Sequence, residues 1–222
     1  MSILDIIKEW YIYLFKPDID MNQYRGASFE KIVEEVILSD FEILKKTPKN
    51  REGSAIDRIV DFFAKRKIGD KTVYAFFESK NRLGKYKYNL KFDENTRIRL
   101  LKDKKQYYRY KYLQDRFKIP LFIILSVGHP RTTPYLFLIP LNRIKSISMT
   151  LKELSNYRIK SKRDFLSKIK KYYLEIHKNN GKVNVKKILD ELENLSIKEI
   201  DKYCKKQINK ELKSKKRHSK KK

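Results

Sequence analysis

The sequence predicts an α/β fold in which one mixed β-sheet is flanked by helices. Short apolar runs of strand length, such as Val73–Phe77 and Leu121–Leu125, alternate with segments in which apolar residues recur at helical spacing. No apolar run approaches the roughly 20 residues that span a bilayer. At 222 residues, the chain is long enough for one domain with a full core and an appendage.

The predicted elements follow the order α-α-β-β-β-α-β-β. Ser2 is a candidate N-cap for the first helix, and Pro17 lies just past its end. Residues 83–97 form a connection without a clear period. The elements are helices at about 2–15, 27–38 and 100–116, a strand at 41–44, hairpin strands around 61–64 and 73–77, and strands at 121–125 and 135–139.

Charge separates the last third of the chain from the rest. Residues 151–222 carry 24 basic and 9 acidic side chains, against 30 and 18 in residues 1–150. Helical patterns cover about 164–177, 185–192 and 197–210, and the composition of 213–222 predicts disorder. The predicted units are an N-terminal helix (1–22), a core (23–150), a basic helical extension (151–212) and a disordered Lys-rich tail (213–222).

The net charge of +27 favours a polyanionic partner such as DNA. Charged residues interrupt the N-terminal apolar stretch, which favours an amphipathic helix over a secretory signal, and no membrane partner is expected. The single Cys204 excludes an internal disulfide and a cysteine-rich zinc site. The expected location is therefore the reducing cytoplasm, either of the source cell or of a host cell if the gene is viral.

Two carboxylates and one lysine converge at one end of the predicted hairpin. Gly69 and Asp70 indicate a tight turn, and antiparallel pairing across a two-residue turn sets Asp61 opposite Glu78. Side chains alternate along a strand, so Glu78 and Lys80 point to the same face. Charged groups at the end of apolar strands are costly to bury unless they are paired or bind a metal. The pattern therefore predicts a catalytic or metal-binding site at this end of the hairpin.

These residue types suit metal-assisted hydrolysis of a phosphodiester. Asp61 and Glu78 offer hard oxygen ligands for Mg²⁺, with Mn²⁺ as the expected substitute. Such an ion polarises a phosphoryl group, stabilises charge on the leaving oxygen and lowers the pKa of a bound water. Lys80 is predicted to position that water and to offset the phosphate charge.

The same residues carry a family resemblance. Asp61 with Glu78-Ser79-Lys80 resembles the PD-(D/E)xK signature of the restriction-endonuclease-like nucleases, and the surrounding sequence resembles the archaeal Holliday-junction resolvases most closely. Residues 25–30 resemble the start of their N-terminal helix. Gly53-Ser54 and Asp61–Ala64 resemble their Gly-Ser loop and Asp-x-x-Ala strand, and Glu78–Arg82 resembles their Glu-x-Lys-Ser-Arg. The resemblance covers about residues 24–145.

The resemblance implies a restriction-endonuclease-like core and a Mg²⁺-dependent DNA endonuclease that acts on branched DNA. It implies Glu30 as a further metal ligand, Gln106 as a residue near the metal, and a homodimer that cuts two strands. The chain departs from the family at Val60, which replaces a proline, and in its long 83–105 connection.

Several alternatives stay open. Asp57 shares a strand face with Asp61 and competes for the metal, because a longer hairpin loop would shift the pairing toward it. Gln106 lies in a tyrosine-rich helix that packing on the sheet would explain equally well. Residues 53–58 also resemble RecB-type nucleases. A RecB-like exonuclease, a single-strand nuclease and a non-catalytic DNA-binding protein are therefore the alternative functions.

Contacts to DNA phosphates are expected from a loop serine and from cations near the site. The basic tail would add affinity through counterion release. The predicted contact residues are Ser54, Arg51, Arg58, Arg66, Arg82, Lys85 and Lys87.

Overall fold

A five-stranded sheet with helices on both faces forms the body of the protein. The computed structural model describes residues 29–46, 60–82, 94–127, 135–177 and 183–219. Its strands are β1 (Glu42–Lys46), β2 (Phe62–Ile68), β3 (Lys71–Arg82), β4 (Arg97–Arg99), β5 (Leu121–Val127), β6 (Tyr135–Pro140) and β7 (Ser148–Thr150). Its α-helices are α1 (Phe29–Ile32), α2 (Lys104–Phe117), α3 (Leu151–Ser155), α4 (Lys162–Ile176), α5 (Val185–Glu193) and α6 (Ile197–Ser219).

The sheet is mixed and has the order β1-β2-β3-β5-β6. Strands β1, β2 and β3 form an antiparallel meander, β3 and β5 are parallel, and β6 returns antiparallel to β5. A parallel pair needs a crossover connection, and α2 lies in the one between β3 and β5. The predicted α/β class, with one mixed sheet flanked by helices, is confirmed.

The β2–β3 turn has the geometry that its residues predict. Gly69 has φ +66°, whereas Asp70 has no positive φ. A positive φ at the first central position alone is typical of a type II′ hairpin turn. The ladder runs without a slip from Ile68↔Lys71 to Phe62↔Phe77, so the turn fixes the register of the whole hairpin.

The first described helix buries the face that its periodicity predicts. Phe29, Ile32 and Val36 are all buried. After Ile32 the helix widens into a π-helical segment, Val33–Ile37, closed by a hydrogen bond from the Leu38 N–H to the Val33 carbonyl (2.8 Å). The predicted helix at 2–15 lies outside the described residues.

Helix α2 begins four residues later than its sequence pattern predicts. The N–H groups of Leu100 and Leu101 both donate to the Ile147 carbonyl, at 2.9 and 3.2 Å, which holds this stretch extended. Asp103 then caps the helix, because its side chain accepts from the Gln106 N–H. The same region forms a two-stranded sheet, β4 with β7, that sequence reasoning did not predict.

The basic extension is an integral part of the fold. Helix α4 buries Phe165 and Ile169 on the sheet face that carries Phe62 and Phe77. On the opposite face, with Phe76, α5 and α6 bury further apolar residues. These are Ile188, Leu192, Ile200 and Cys204. Both faces of the sheet are therefore completed by residues after position 150.

The last helix is longer than the composition predicts. Helix α6 continues to Ser219, so most of the segment 213–222, for which disorder is predicted, is helical. No helix in the described ranges combines the length and the apolar character needed to cross a bilayer.

We expect Phe165→Ala to destabilise the protein by about 3–5 kcal/mol, since it opens a cavity in the core. Phe165 is 1% exposed and packs edge-on against Phe41 with ring centroids 6.2 Å apart. The matched control is Leu174→Ala on the same helix, at a position 36% exposed, where a change of about 0.5 kcal/mol or less is expected. Denaturant unfolding measures both, and equal small effects would contradict an integral role for α4.

Candidate active site

Strand β3 extends beyond its partner β2 at one end. The last pair of the ladder is Phe62↔Phe77, and the Asp61 N–H still donates to the Phe77 carbonyl at 3.1 Å. The predicted Asp61↔Glu78 pair is not part of the ladder, because regular pairing ends at Phe62. Asp61 nevertheless lies near Glu78, since its charge acts on that carboxyl group. From Ser79 to Arg82, β3 pairs with β5, and in the described part of the chain its other edge has no strand. The predicted cluster lies where this edge opens.

The Asp61 side chain binds the edge of β3 beyond the last residue of β2, where a paired strand would otherwise accept the backbone hydrogen bond. Its Oδ2 accepts hydrogen bonds from the Ser79 N–H at 2.6 Å and from the Ser79 hydroxyl at 2.5 Å. These bonds fix the carboxylate against the edge of β3. A carboxylate has about four lone-pair positions, so Asp61 retains acceptor capacity for a ligand.

Glu78 and Lys80 form an ion pair on the sheet face that carries Phe76, through Lys80 Nζ and Glu78 Oε1. The two side chains are 8% and 19% exposed. The predicted alternation, which sends both to one face, is therefore confirmed. A charged carboxylate in such a place depends strongly on its neighbours, because burial disfavours the ionised form.

The environment of Glu78 opposes its negative charge. Burial raises the pKa of Glu78, the charge of Asp61 raises it further, and the pKa reaches about 7 although Lys80 and Tyr110 act in the other direction. Repulsion between two neighbouring carboxylates is relieved by a proton or by a cation. Two hard oxygen donors with a deficit of positive charge fit a divalent ion such as Mg²⁺.

Helix α2 supports Glu78 through a chain of hydrogen bonds. Burial and the nearby charge of Glu78 raise the pKa of Tyr110 well above its usual value, so the phenol stays protonated and donates to the Glu78 carboxylate. Gln106 Nε2 donates to the Tyr110 hydroxyl at 2.7 Å, and Gln106 Oε1 accepts from the Lys102 N–H at 2.7 Å. Gln106 is thus linked to Glu78 through Tyr110.

Sequence reasoning missed two of these interactions. Tyr110 is not among the predicted site residues, because packing on the sheet explains its tyrosine-rich helix equally well. It is four residues after Gln106, a spacing that places both on one face of a helix. Ser79 is the variable position between Glu78 and Lys80, and nothing in the local pattern indicates that it would hold Asp61. The first interaction had a usable signal and the second had none.

The other described residues of the prediction lie on α1 and on the strands. Glu30 is on α1, whose Phe29 packs among the core residues of the sheet face that carries Phe62 and Phe77. Arg66 pairs with Asp40 at 2.7 Å and is five residues along β2 from Asp61, or about 16 Å. Arg82 remains near the site end of β3, where its Nε donates to the Arg99 carbonyl at 2.7 Å.

Among the residues that the structure describes, no three Asp, Glu, His or Cys side chains are grouped so as to hold a metal ion. Asp61 and Glu78 form a pair, and Glu30 as a further ligand stays a prediction. The predicted residues that lie outside the described ranges are Asp57, Ser54, Arg51, Arg58, Lys85 and Lys87.

Comparisons with known proteins add no family assignment. A scan of the chain against protein-family models finds no match. A search of curated proteins also finds no match. The resemblance to restriction-endonuclease-like nucleases therefore stays a prediction from the residue patterns.

The raised pKa of Glu78 predicts how the metal-free protein responds to pH. Between the ordinary pKa of 4.5 and the folded value of about 7, the folded state holds a proton that the unfolded state has released. Stability therefore falls as pH rises through this window, by about 3 kcal/mol in total. The glutamine in Glu78→Gln cannot ionise. In EDTA, the stability of this variant relative to the wild type should therefore rise by that amount as the pH increases through the window.

Denaturant unfolding on both sides of the window measures this difference. The matched control is Glu42→Gln on β1, whose side chain is 63% exposed, measured at the same pH values. A difference between Glu78→Gln and the wild type that stays constant with pH would contradict the raised pKa.

Proposed function

We propose that the protein is a Mg²⁺-dependent DNA endonuclease with a restriction-endonuclease-like core, selective for branched DNA and active as a homodimer. The observation that carries the proposal is the meeting of Asp61, Glu78 and Lys80 at the open edge of β3. Two hard ligands beside an ammonium group are what metal-assisted phosphodiester hydrolysis requires. The mixed α/β sheet with its crossover helix supports the proposal at the level of the fold class.

Each residue of the cluster has a defined role in this proposal. Asp61 and Glu78 hold Mg²⁺, which when bound supplies polarisation of the phosphoryl group and stabilises charge on the leaving oxygen. Lys80 orients the attacking water and offsets the phosphate charge. Ser79 fixes Asp61, and Tyr110 fixes Glu78, so that both carboxylates are oriented before DNA arrives.

The preference for branched DNA and the homodimer rest on the resemblance to the archaeal resolvases. The high positive charge supports a polyanionic substrate of any shape. A metal-titrated cleavage assay on a four-way junction, a flap, a duplex and a single strand separates the candidate activities. Preferred cutting of the junction supports the proposal, and end-dependent degradation of duplex supports the RecB-like alternative.

Glu78→Gln and Lys80→Met should each lower the rate of Mg²⁺-dependent cleavage by at least about 100-fold, as removal of one catalytic electrostatic group commonly does. Binding to DNA should change little, because neither residue is a main phosphate contact. Lys67→Met, an exposed lysine on β2, is the matched control and should cleave normally. Wild-type rates in both site variants would favour the non-catalytic DNA-binding alternative.

Tyr110→Phe tests the support of Glu78 by α2. Loss of the hydroxyl should raise the Mg²⁺ concentration needed for half-maximal cleavage by about 10–100-fold, the effect expected when a ligand is deprived of its orienting partner. Tyr107→Phe removes a hydroxyl from the same helix and should have no such effect. An unchanged Mg²⁺ requirement in Tyr110→Phe would mean that the hydrogen bond is only structural.

A further inference from the structure

Helix α6 is strongly basic, yet its acidic side chains are all directed to one neighbour. Its 23 residues include nine Lys or Arg and three Asp or Glu. Each acid pairs with a cation of α2. Asp201 pairs with Lys105 and Arg109 at 2.9 and 3.2 Å, Glu199 with Arg116 at 2.9 Å, and Glu211 with Lys104 at 2.6 Å.

The side of α6 that faces away from the core carries a row of lysines. Six exposed lysines lie opposite the buried Ile200 and Cys204, and at 3.6 residues per turn they fall within an arc of about 140°. Glu199 lies near the margin of this arc and is turned to Arg116. Within the described residues, none of the six lysines forms an ion pair. We call them the lysine face of α6, and they are Lys198, Lys202, Lys205, Lys206, Lys210 and Lys213.

This separation of charge destabilises an isolated protein. Lys198, Lys202, Lys206 and Lys210 follow one another at four-residue spacing, and like charges at that spacing repel each other on a helix. Surface helices ordinarily intersperse both signs. Here the three acids of α6 could reduce this repulsion, but they form ion pairs with α2. A polyanionic partner would compensate the lysine face.

The lysine face leads toward the candidate active site. Glu199 meets α2 near its end, at Arg116, and Glu211 meets it at its start, at Lys104, so the two helices are antiparallel. The start of α2 also carries Gln106, which is linked through Tyr110 to Glu78. From Lys198 to Lys213 the face extends for about 22 Å and ends on the side of the protein where the site lies.

We propose that the lysine face of α6 binds the backbone phosphates of a DNA duplex arm and directs that arm toward Asp61 and Glu78. Lysine ammonium groups contact phosphates without reading base sequence, so the face would bind duplex of any sequence. The delivery of the arm to a cleavage site rests on the proposed nuclease function. The binding of duplex to the lysine face does not depend on catalysis.

An anionic membrane fits the lysine face less well than DNA. A helix that lies in a membrane surface inserts its apolar face among the lipids. The apolar face of α6 is already buried, since Ile200 and Cys204 pack in the core. Only electrostatic attraction would therefore hold α6 on a membrane. The regularly spaced phosphates of a duplex, in contrast, can each contact a lysine in the row.

The test compares two triple variants of equal net charge. Lys202→Gln, Lys206→Gln and Lys210→Gln together remove half of the lysine face, and glutamine keeps the helix propensity of lysine. The control combines Lys67→Gln, Lys152→Gln and Lys160→Gln, which are exposed lysines outside α6. Dissociation constants for a duplex are measured in EDTA over a series of salt concentrations, so that no cleavage occurs.

The slope of log affinity against log salt should become shallower by about 0.9 for each phosphate that is no longer neutralised by a lysine, up to about 2.7 for the lysine-face variant. The control variant should keep the wild-type slope. Equal slopes in the two variants would overturn the proposal, because net charge alone would then explain binding. Unfolding curves verify that both variants fold.

Two further measurements separate the possible failures. Binding of the wild type to phosphatidylserine vesicles should be weaker than to duplex, and tighter vesicle binding that the lysine-face variant abolishes would overturn the proposal. Cleavage is measured separately on the wild type. If the slopes differ as expected but no DNA is cut, the nuclease function fails and the DNA-binding face stands.

Discussion

The register of the β2–β3 hairpin is the constraint on which the candidate site depends. The two-residue II′ turn at Gly69 fixes which residues of the two strands pair. A shift of one residue would turn every side chain of a strand to the other face of the sheet. In the observed register pairing stops at Phe62↔Phe77, which leaves Asp61 near Glu78 at the end of the ladder. The apolar residues on both faces stabilise this register, so the stability of the core also aligns the carboxylates.

The buried position of Glu78 is understandable only with its partners. Lys80 offsets its charge from the same strand, and Tyr110 donates to it from α2, but burial and Asp61 still raise its pKa to about 7. Perturbed carboxyl groups of this kind concentrate at functional sites. Glu78 is therefore held in a buried position near a second carboxylate, an arrangement that a proton or a cation would stabilise.

Local rules predicted the hairpin, its turn and the buried face of the helix that begins with α1, because a Gly-Asp turn and apolar periodicity act over a few residues. They failed where distant segments compete. The start of α2 is delayed because Leu100 and Leu101 bond to Ile147, and the α2–α6 ion pairs join residues about a hundred positions apart. The composition of 213–222 predicted disorder, whereas the α6 helix continues to Ser219.

Helix α2 contacts both the candidate active site and the helix that carries the lysine face. One side of it orients Glu78 through Tyr110 and Gln106, and the other side receives the three acids of α6. The element that positions the carboxylate is thus also the element that holds the lysines outward. With 54 basic and 27 acidic side chains, acids are scarce in this chain. Their use on α6 to fix orientation, and not to neutralise the lysines, leaves an ordered positive surface that a flexible tail of the same composition would not provide.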